Sequence, residues 1–189
     1  RALGLTVDIR HLANSAAALG QPDLRHNLVR VGIAAYGVDP ADAHLAERAG
    51  VHLHPVMRLR AQLLATKAAA TGTGVSYGHT WTAPDATVLG LVGLGYADGV
   101  PRAVGNSPVG AGVAVSGRIA PIAGRVCMDQ FVIDLGAGAG EEPGAEVTLF
   151  GGADAPTASD WARACGTIGY EIVTRIGPRV PRRYVGDPQ

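Results

Sequence analysis

The chain has 189 residues, with 16 basic and 16 acidic side chains and a formal net charge of zero. No run of like charge offers a groove for nucleic acid or a patch for an anionic membrane, and no apolar stretch reaches the roughly 20 residues that a membrane helix needs. There is no signal-peptide pattern at the start, so a soluble cytoplasmic protein is expected, with Cys127 and Cys165 as reduced thiols outside any CxxC spacing.

The chain begins without Met, inside an apolar and polar pattern, and reads as a piece of a longer protein. "LGLTVDIRHLANSAAAL" predicts a short strand over about Leu5 to Ile9, a turn, and a helix whose cap candidates are Asn14 and Ser15. "HNLVRVGIAAYGVDP" adds a strand around Leu28 to Val31, Gly32 at a turn, and Asp39-Pro40 as a stop signal. These are βα elements of the kind that end an α/β barrel. From Val56 the pattern changes to short, glycine-punctuated strands: "VMRLRAQLLATKAAATGTGVSYG", "TVLGLVGLGYADG", "GVAVSGRIAPIAGRVCMDQFVIDLG" and "EVTLF". "TASDWARACGTIGYEIVTRIG" reads as two short helices, and "PRVPRRYVG" as a proline-bounded final strand. The expected organisation is therefore residues 1–53 as the last βα elements of a TIM-type barrel and residues 54–189 as a mainly β domain.

Several motifs carry little. Gly93, Gly95 and Gly99 are spaced superficially like a dinucleotide fingerprint, but Asp98-Gly99 and Pro101 stand where the phosphate-binding helix should begin. His52 and His54 alternate as on one face of a strand and could join His44 around a metal; no cysteine or carboxylate cluster supports that, and loop or solvent-facing histidines are expected, with no metal. Lys67, the single lysine, lies in a strand pattern and reads as a solvated face. The junctions "HLANS" and "VRVGI" say more. Ser15 and the amides of Gly32 and Ile33 could converge on an anion at a barrel mouth, or Ser15 could simply cap its own helix.

The order "HLANS", "NLVRVGIAAYG", "GVSYGHTW", "GLGYADGVPR", "GRVCMDQFVIDLG", "TIGYEIVTRIGPRVPR" closely resembles the alanine racemases, fold-type III enzymes dependent on pyridoxal phosphate. The resemblance runs from about His11 to Tyr184. The succession of "SYG", "GYADG" and "CMDQ" is specific, whereas each alone would be weak. Members of that family also carry a lysine in a "KAxAYGHG" context, which does not occur here, so the chain looks like the C-terminal half of such an enzyme.

The resemblance implies a role for each matching residue. Racemisation needs an acid and a base on opposite faces of one Cα; one is the Schiff-base lysine of the other half, and the second is the "SYG" tyrosine, here Tyr77. A free phenol titrates near 10, so Tyr77 would need positive groups nearby to work near neutrality. Arg30 would face the pyridine nitrogen and, never giving up its proton, keep that nitrogen unprotonated; His11 would orient Arg30. Ser15, the amides of Gly32 and Ile33, and Tyr170 would hold the phosphate. Tyr96 and the Met128 amide would lie beside the substrate, alanine, while Arg102, Arg125, Ile168 and Asp129 would line or flank the channel. The family's sites are assembled across a homodimer, so Tyr77, Tyr96 and Met128 would serve the partner's cofactor, and Arg30, Ser15 and Tyr170 their own. His79 stands where a small residue is frequent and is expected to face solvent.

One function is expected on the sequence, with two alternatives. The expected one is part of an alanine racemase supplying D-alanine for peptidoglycan precursors, this piece alone being inactive. The alternatives are a related fold-type III decarboxylase or a broader amino-acid racemase, and a non-enzymatic β-domain that dimerises or docks.

Overall fold

The computed structural model describes residues 6–40, 44–106 and 111–186. The chain forms two compact units, Arg1–Met57 and Arg58–Gln189.

The first unit holds β1 (His11–Ala13), α1 (Ser15–Gly20), β2 (Leu28–Val29) and, beyond a 3-10 turn at Ile33–Tyr36, α2 (Leu45–Arg48). β1 and β2 pair in parallel, with His11 opposite Leu28 and Ala13 opposite Val29, and the ladder continues as Arg30 N–H donates to the Ala13 carbonyl at 2.9 Å. The expected strand at 5–9 is corrected: Leu5 lies outside the described residues, and residues 6–10 form no strand. Alternation there supplies strand-like side chains, but the backbone partner of β2 is the stretch that starts at His11. β2 is likewise shorter than the expected 28–31. Ala13, Ile33, Val38 and Ala46 are buried in this unit. His52 and His54 lie in an extended stretch with no strand pairing and are exposed, and no cluster that could hold a metal occurs among the described residues.

The second unit is built on an antiparallel sheet. Its members are β3 (Leu59–Ala69), β6 (Thr87–Val92), β7 (Gly112–Val115), β8 (Arg118–Pro121), β9 (Phe131–Gly136) and β10 (Glu146–Phe150), in the order β8-β7-β10-β3-β6-β9. A separate hairpin, β4 (Gly74–Val75) with β5 (Trp81–Thr82), rises between β3 and β6 in sequence. The two edges of the large sheet meet: Ile122, just past β8, bridges Ile133 of β9, and Ala123 N–H donates to the Val132 carbonyl at 2.8 Å. The sheet is thus nearly closed on itself, which removes exposed edges.

Period-two patterning places the interior. Phe131, Ile133 and Leu135 of β9 are buried in strict alternation. Gly90 of β6 is small of necessity, since a Cβ there would come within about 3 Å of side chains of Leu63, Leu135 and Ile133. On β10 the alternation fails, because Val147, Thr148, Leu149 and Phe150 are all buried. On the other face of that strand Phe150 is met edge-on by Trp161 of α3 (Ala158–Cys165), with ring centroids 6.4 Å apart, and Thr148 by the Arg58 guanidinium. α4 (Gly169–Thr174) follows. Both cysteines are free thiols, and burial is the main influence that pushes the Cys165 thiol up.

"PRVPRRYVG" is not a strand, contrary to expectation. Pro178 and Pro181 have no N–H to give a ladder, and a side chain takes the carbonyls instead: the Arg182 guanidinium donates to Ile176 O at 2.6 Å, to Val180 O at 2.7 Å, and to Gly177 O. No helix among the described residues is long and apolar enough to cross a membrane.

α3 begins with a capping box in which Thr157 Oγ1 accepts from Asp160 N at 3.0 Å and Asp160 Oδ2 accepts from Thr157 N at 2.7 Å. Burial pulls the Asp160 carboxyl up, but the Thr157 bonds and Arg163 outweigh it and leave its pKa below the usual value. A group depressed in the folded state stabilises above its unfolded pKa of about 3.9 and loses that contribution as pH falls through the folded value. Thr157→Ala in the complete protein is expected to cost about 1 kcal/mol in urea unfolding at neutral pH. The gap to wild type should narrow below about pH 4; a gap constant with pH would show that the cap does not act through ionised Asp160.

Candidate functional site

In the first unit the pairing of β1 with β2 brings His11, at the start of β1, near Arg30, just past β2, and Arg30 Nε donates to His11 Nε2. Nε2 is therefore the acceptor, and a neutral His11 carries its proton on Nδ1. That Nδ1 is buried with no partner among the described residues.

Asn14 caps α1, its Oδ1 accepting from Ala17 N at 3.0 Å. This frees Ser15, the first helical residue, from capping duty. Its buried hydroxyl oxygen instead accepts from the Gly32 amide at 3.0 Å and the Ala34 amide at 3.4 Å. The two junctions thus converge, and the Gly32 N–H is directed at Ser15 Oγ. A hydroxyl that accepts from two amides still has its own proton to donate. A Cβ built on Gly32 would meet nothing within 4 Å, so the space beside this cradle is open.

In the second unit, most of the expected residues gather around one segment, the Gly124–Asp129 connection from β8 to β9. Tyr77 sits at the tip of the β4–β5 hairpin, 73% exposed. The residue before it, Ser76, donates through Oγ to the Arg125 carbonyl at 2.7 Å and lies 3.4 Å from Cys127 Sγ. The residue after it, Gly78, has φ of 74° and lies over the Arg125 guanidinium, which a built Cβ would approach to 3.2 Å. His79 is exposed, with its ring folded against the Gly74 backbone.

Tyr96 starts a 3-10 turn at Tyr96–Asp98 whose amides dock on the same segment: Tyr96 N–H donates to Cys127 O at 3.0 Å and Ala97 N–H to Met128 O at 2.9 Å. The Arg102–Asn106 turn is equally close, since a Cβ on Gly105 would fall 2.3 Å from Gly124 O. Met128 and Asp129 are exposed at the end of the segment. Ile168 stands at the N-cap of α4 and Tyr170 within it; the chain leaving α4 returns to the Tyr96 turn, where Gly177 N–H donates to Asp98 O at 2.8 Å. Tyr77, Tyr96, Arg102, Arg125, Met128 and Asp129 are therefore joined through one backbone scaffold. Lys67 is exposed on β3, opposite Leu89.

Two charged residues were not among the expected site residues. Asp98, 7% exposed, accepts from Gly95 N–H at 2.9 Å and closes the Tyr96 turn. Arg179 reaches both Asp98 Oδ1, at 3.3 Å, and Asp129 Oδ1, at 2.7 Å. The bond to Asp129 and then the field of Asp98 push the Arg179 guanidinium further up from its ordinary value. Gly95 has no side chain with which to complete a capping box, so the Gly-x-x-Asp spacing did not mark Asp98, and nothing in "GPRVPR" marks Arg179.

Residues 56–184 match the family described as "Alanine racemase, C-terminal domain", and residues 1–40 match "Alanine racemase, N-terminal domain". An alanine racemase of Streptomyces coelicolor is 54% identical over 186 residues, covering 97% of this chain and 46% of that protein. The solved structure of alanine racemase from Streptomyces coelicolor A3(2) superposes with a TM-score of 0.90 at 53% identity, over 98% of this chain and 48% of the other. That of Bacillus anthracis alanine racemase with bound L-Ala-P gives a TM-score of 0.87 at 36% identity, over 98% and 47%. The chain spans about half the length of the relatives it matches.

Gly95 has an ordinary extended φ of −147°, but a Cβ there would lie 2.2 Å from Met128 O and 2.5 Å from Asp129 N. Both obstacles are backbone and cannot rotate away. Gly95→Ala is expected to destabilise the complete protein by roughly 1–3 kcal/mol or more, with faster amide exchange at Tyr96, Ala97 and the 127–129 segment. Unchanged exchange there would show that the two loops are not mechanically joined.

Proposed function

The chain belongs to the alanine racemase family, and from that premise we propose that it forms the C-terminal portion of an enzyme that interconverts L- and D-alanine, with Tyr77 as one of its two proton-transfer groups. The observation that carries this reading is the setting of Tyr77: an exposed phenol at a hairpin tip, with the preceding Ser76 bonded to the Arg125 carbonyl and the following Gly78 beside the Arg125 guanidinium. Removing a proton from one face of Cα and returning it to the same face regenerates the starting enantiomer. Two groups on opposite faces are required, and in this reading the partner of Tyr77 is a lysine on polypeptide outside these 189 residues, since Lys67 is an exposed strand residue of β3 opposite Leu89.

The first unit suits the phosphate of pyridoxal phosphate: Ser15 has a proton to donate, Gly32 leaves open space, and Ile33 adds an amide. Tyr170 adds a hydroxyl in this reading. When bound, the cofactor supplies the conjugated ring system that makes the α-proton of alanine removable. Arg30, held by His11, would face the ring nitrogen and, keeping its own proton, would not pass it one. The amide of Met128 receives the substrate carboxylate and Tyr96 lies beside it, while Arg102, Arg125, Ile168 and Asp129 border the approach. In a homodimer, Tyr77, Tyr96 and Met128 complete the partner's site and Arg30, Ser15 and Tyr170 serve their own. The D-alanine so formed feeds peptidoglycan precursors.

Two measurements test this. Tyr77→Phe in the complete enzyme is expected to slow solvent-deuterium incorporation from one alanine enantiomer by roughly 100-fold to 10,000-fold while the other exchanges at the lysine face; equal rates from both would remove Tyr77 from the chemistry. The 189 residues alone are expected to show no racemisation, and borohydride after added cofactor should leave Lys67 unmodified. A stoichiometric adduct at Lys67 would contradict the assignment.

A further inference from the structure

The hairpin tip is unusual in its backbone. Of the residues 76–79, Ser76, Gly78 and His79 have positive φ, of 61°, 74° and 44°, so Tyr77 is flanked on both sides by left-handed geometry. Gly78 adopts this freely. Ser76 does not: with ψ of −174° it sits in a region that residues carrying a side chain seldom occupy and that persists only when the surroundings impose it. The surroundings here are specific. Ser76 Oγ donates to the Arg125 carbonyl at 2.7 Å across 49 residues of sequence, Cys127 Sγ lies 3.4 Å away, and His79 N–H closes the turn on Ser76 O at 3.3 Å. A glycine at 76 would reach the same φ without strain but would have no hydroxyl for the bond.

We propose that Ser76 is a positioning residue for Tyr77. Its hydroxyl clasps the turn to the Arg125 carbonyl, and the Arg125 guanidinium lies beside Gly78, so one residue neighbours the backbone on either side of Tyr77. The phenol is thereby aimed before substrate arrives, instead of sampling the directions open to an exposed side chain. Aiming matters because displacement of a reacting group by about 1 Å can cost on the order of 100-fold in rate. The inference rests on the reading of Tyr77 as a proton-transfer group.

The test uses the complete enzyme with Ser76→Ala, Ser76→Gly and, as reference, Tyr77→Phe. Ser76→Ala removes the clasp and keeps the strain; Ser76→Gly removes both. Deuterium incorporation from each alanine enantiomer is measured beside thermal unfolding. Both Ser76 variants are expected to slow exchange by roughly 10-fold to 100-fold, and only for the enantiomer whose exchange Tyr77→Phe slows. Ser76→Gly, which needs no strained φ, should show this defect although it unfolds no more readily than Ser76→Ala. If Ser76→Ala fails to fold, Ser76→Gly alone carries the comparison. A Ser76→Gly variant that keeps the wild-type ratio of the two exchange rates, or loses both rates equally, would overturn the clasp. A Tyr77→Phe variant without directional loss would overturn the reading of Tyr77 itself, and the clasp with it.

Discussion

The second unit depends on three backbone carbonyls of one connection. Arg125 O receives the Ser76 hydroxyl, Cys127 O the Tyr96 amide, and Met128 O the Ala97 amide. None of these bonds uses a side chain of the 125–128 segment, so its main chain is the template and the surrounding loops are cast on it. What holds the template is the closure of the sheet. Ile122 and Ala123 bind β9 immediately before the segment, Phe131 starts β9 immediately after it, and Cys127 N–H closes a turn on Gln130 O at 2.9 Å. A connection fixed at both ends by a buried sheet has little freedom left.

Electrostatics add a second layer. A buried carboxylate such as Asp98 is costly unless its lone pairs are engaged, and Gly95 N–H and Arg179 engage them. Because Arg179 also holds the exposed Asp129, it links the Tyr96 turn to the end of the 124–129 segment. At the exposed end such pairing is weak by itself; its value is geometric, since the same loops are already docked through backbone bonds.

The sequence made much of this readable. "SYG", "GYADG" and "CMDQ" identified the relatives and the residues worth examining, and the alternation in "FVIDLG" and the Gly-bounded "ASDWARAC" marked β9 and α3 directly. The misses share a cause: alternation shows which residues could form a strand, whereas a strand also needs a neighbour. Residues 6–10 alternate without one, and in "PRVPRRYVG" prolines and Arg182 satisfy the backbone differently. The clasp was invisible for another reason. Ser76 and Arg125 meet across 49 residues, and a bond between a hydroxyl and a carbonyl leaves no complementary pattern in side-chain identity. Asn14 and Ser15 looked interchangeable as caps, and only the second junction, at Gly32, separated their duties.

Docking through main-chain atoms also bears on how such a protein can change over generations. Substitutions at Cys127 or Met128 alter what projects from the segment without deleting the carbonyls on which the neighbouring loops rest. Drift in those side chains can therefore proceed while the scaffold stays in place. The vulnerable positions are the ones with nothing to spare: a Cβ at Gly95 or Gly105 would strike backbone at 2.2 or 2.3 Å. Variation among descendants should accordingly concentrate on what the scaffold displays, with glycines at these two contacts as the slowly changing anchors around which new specificities could arise.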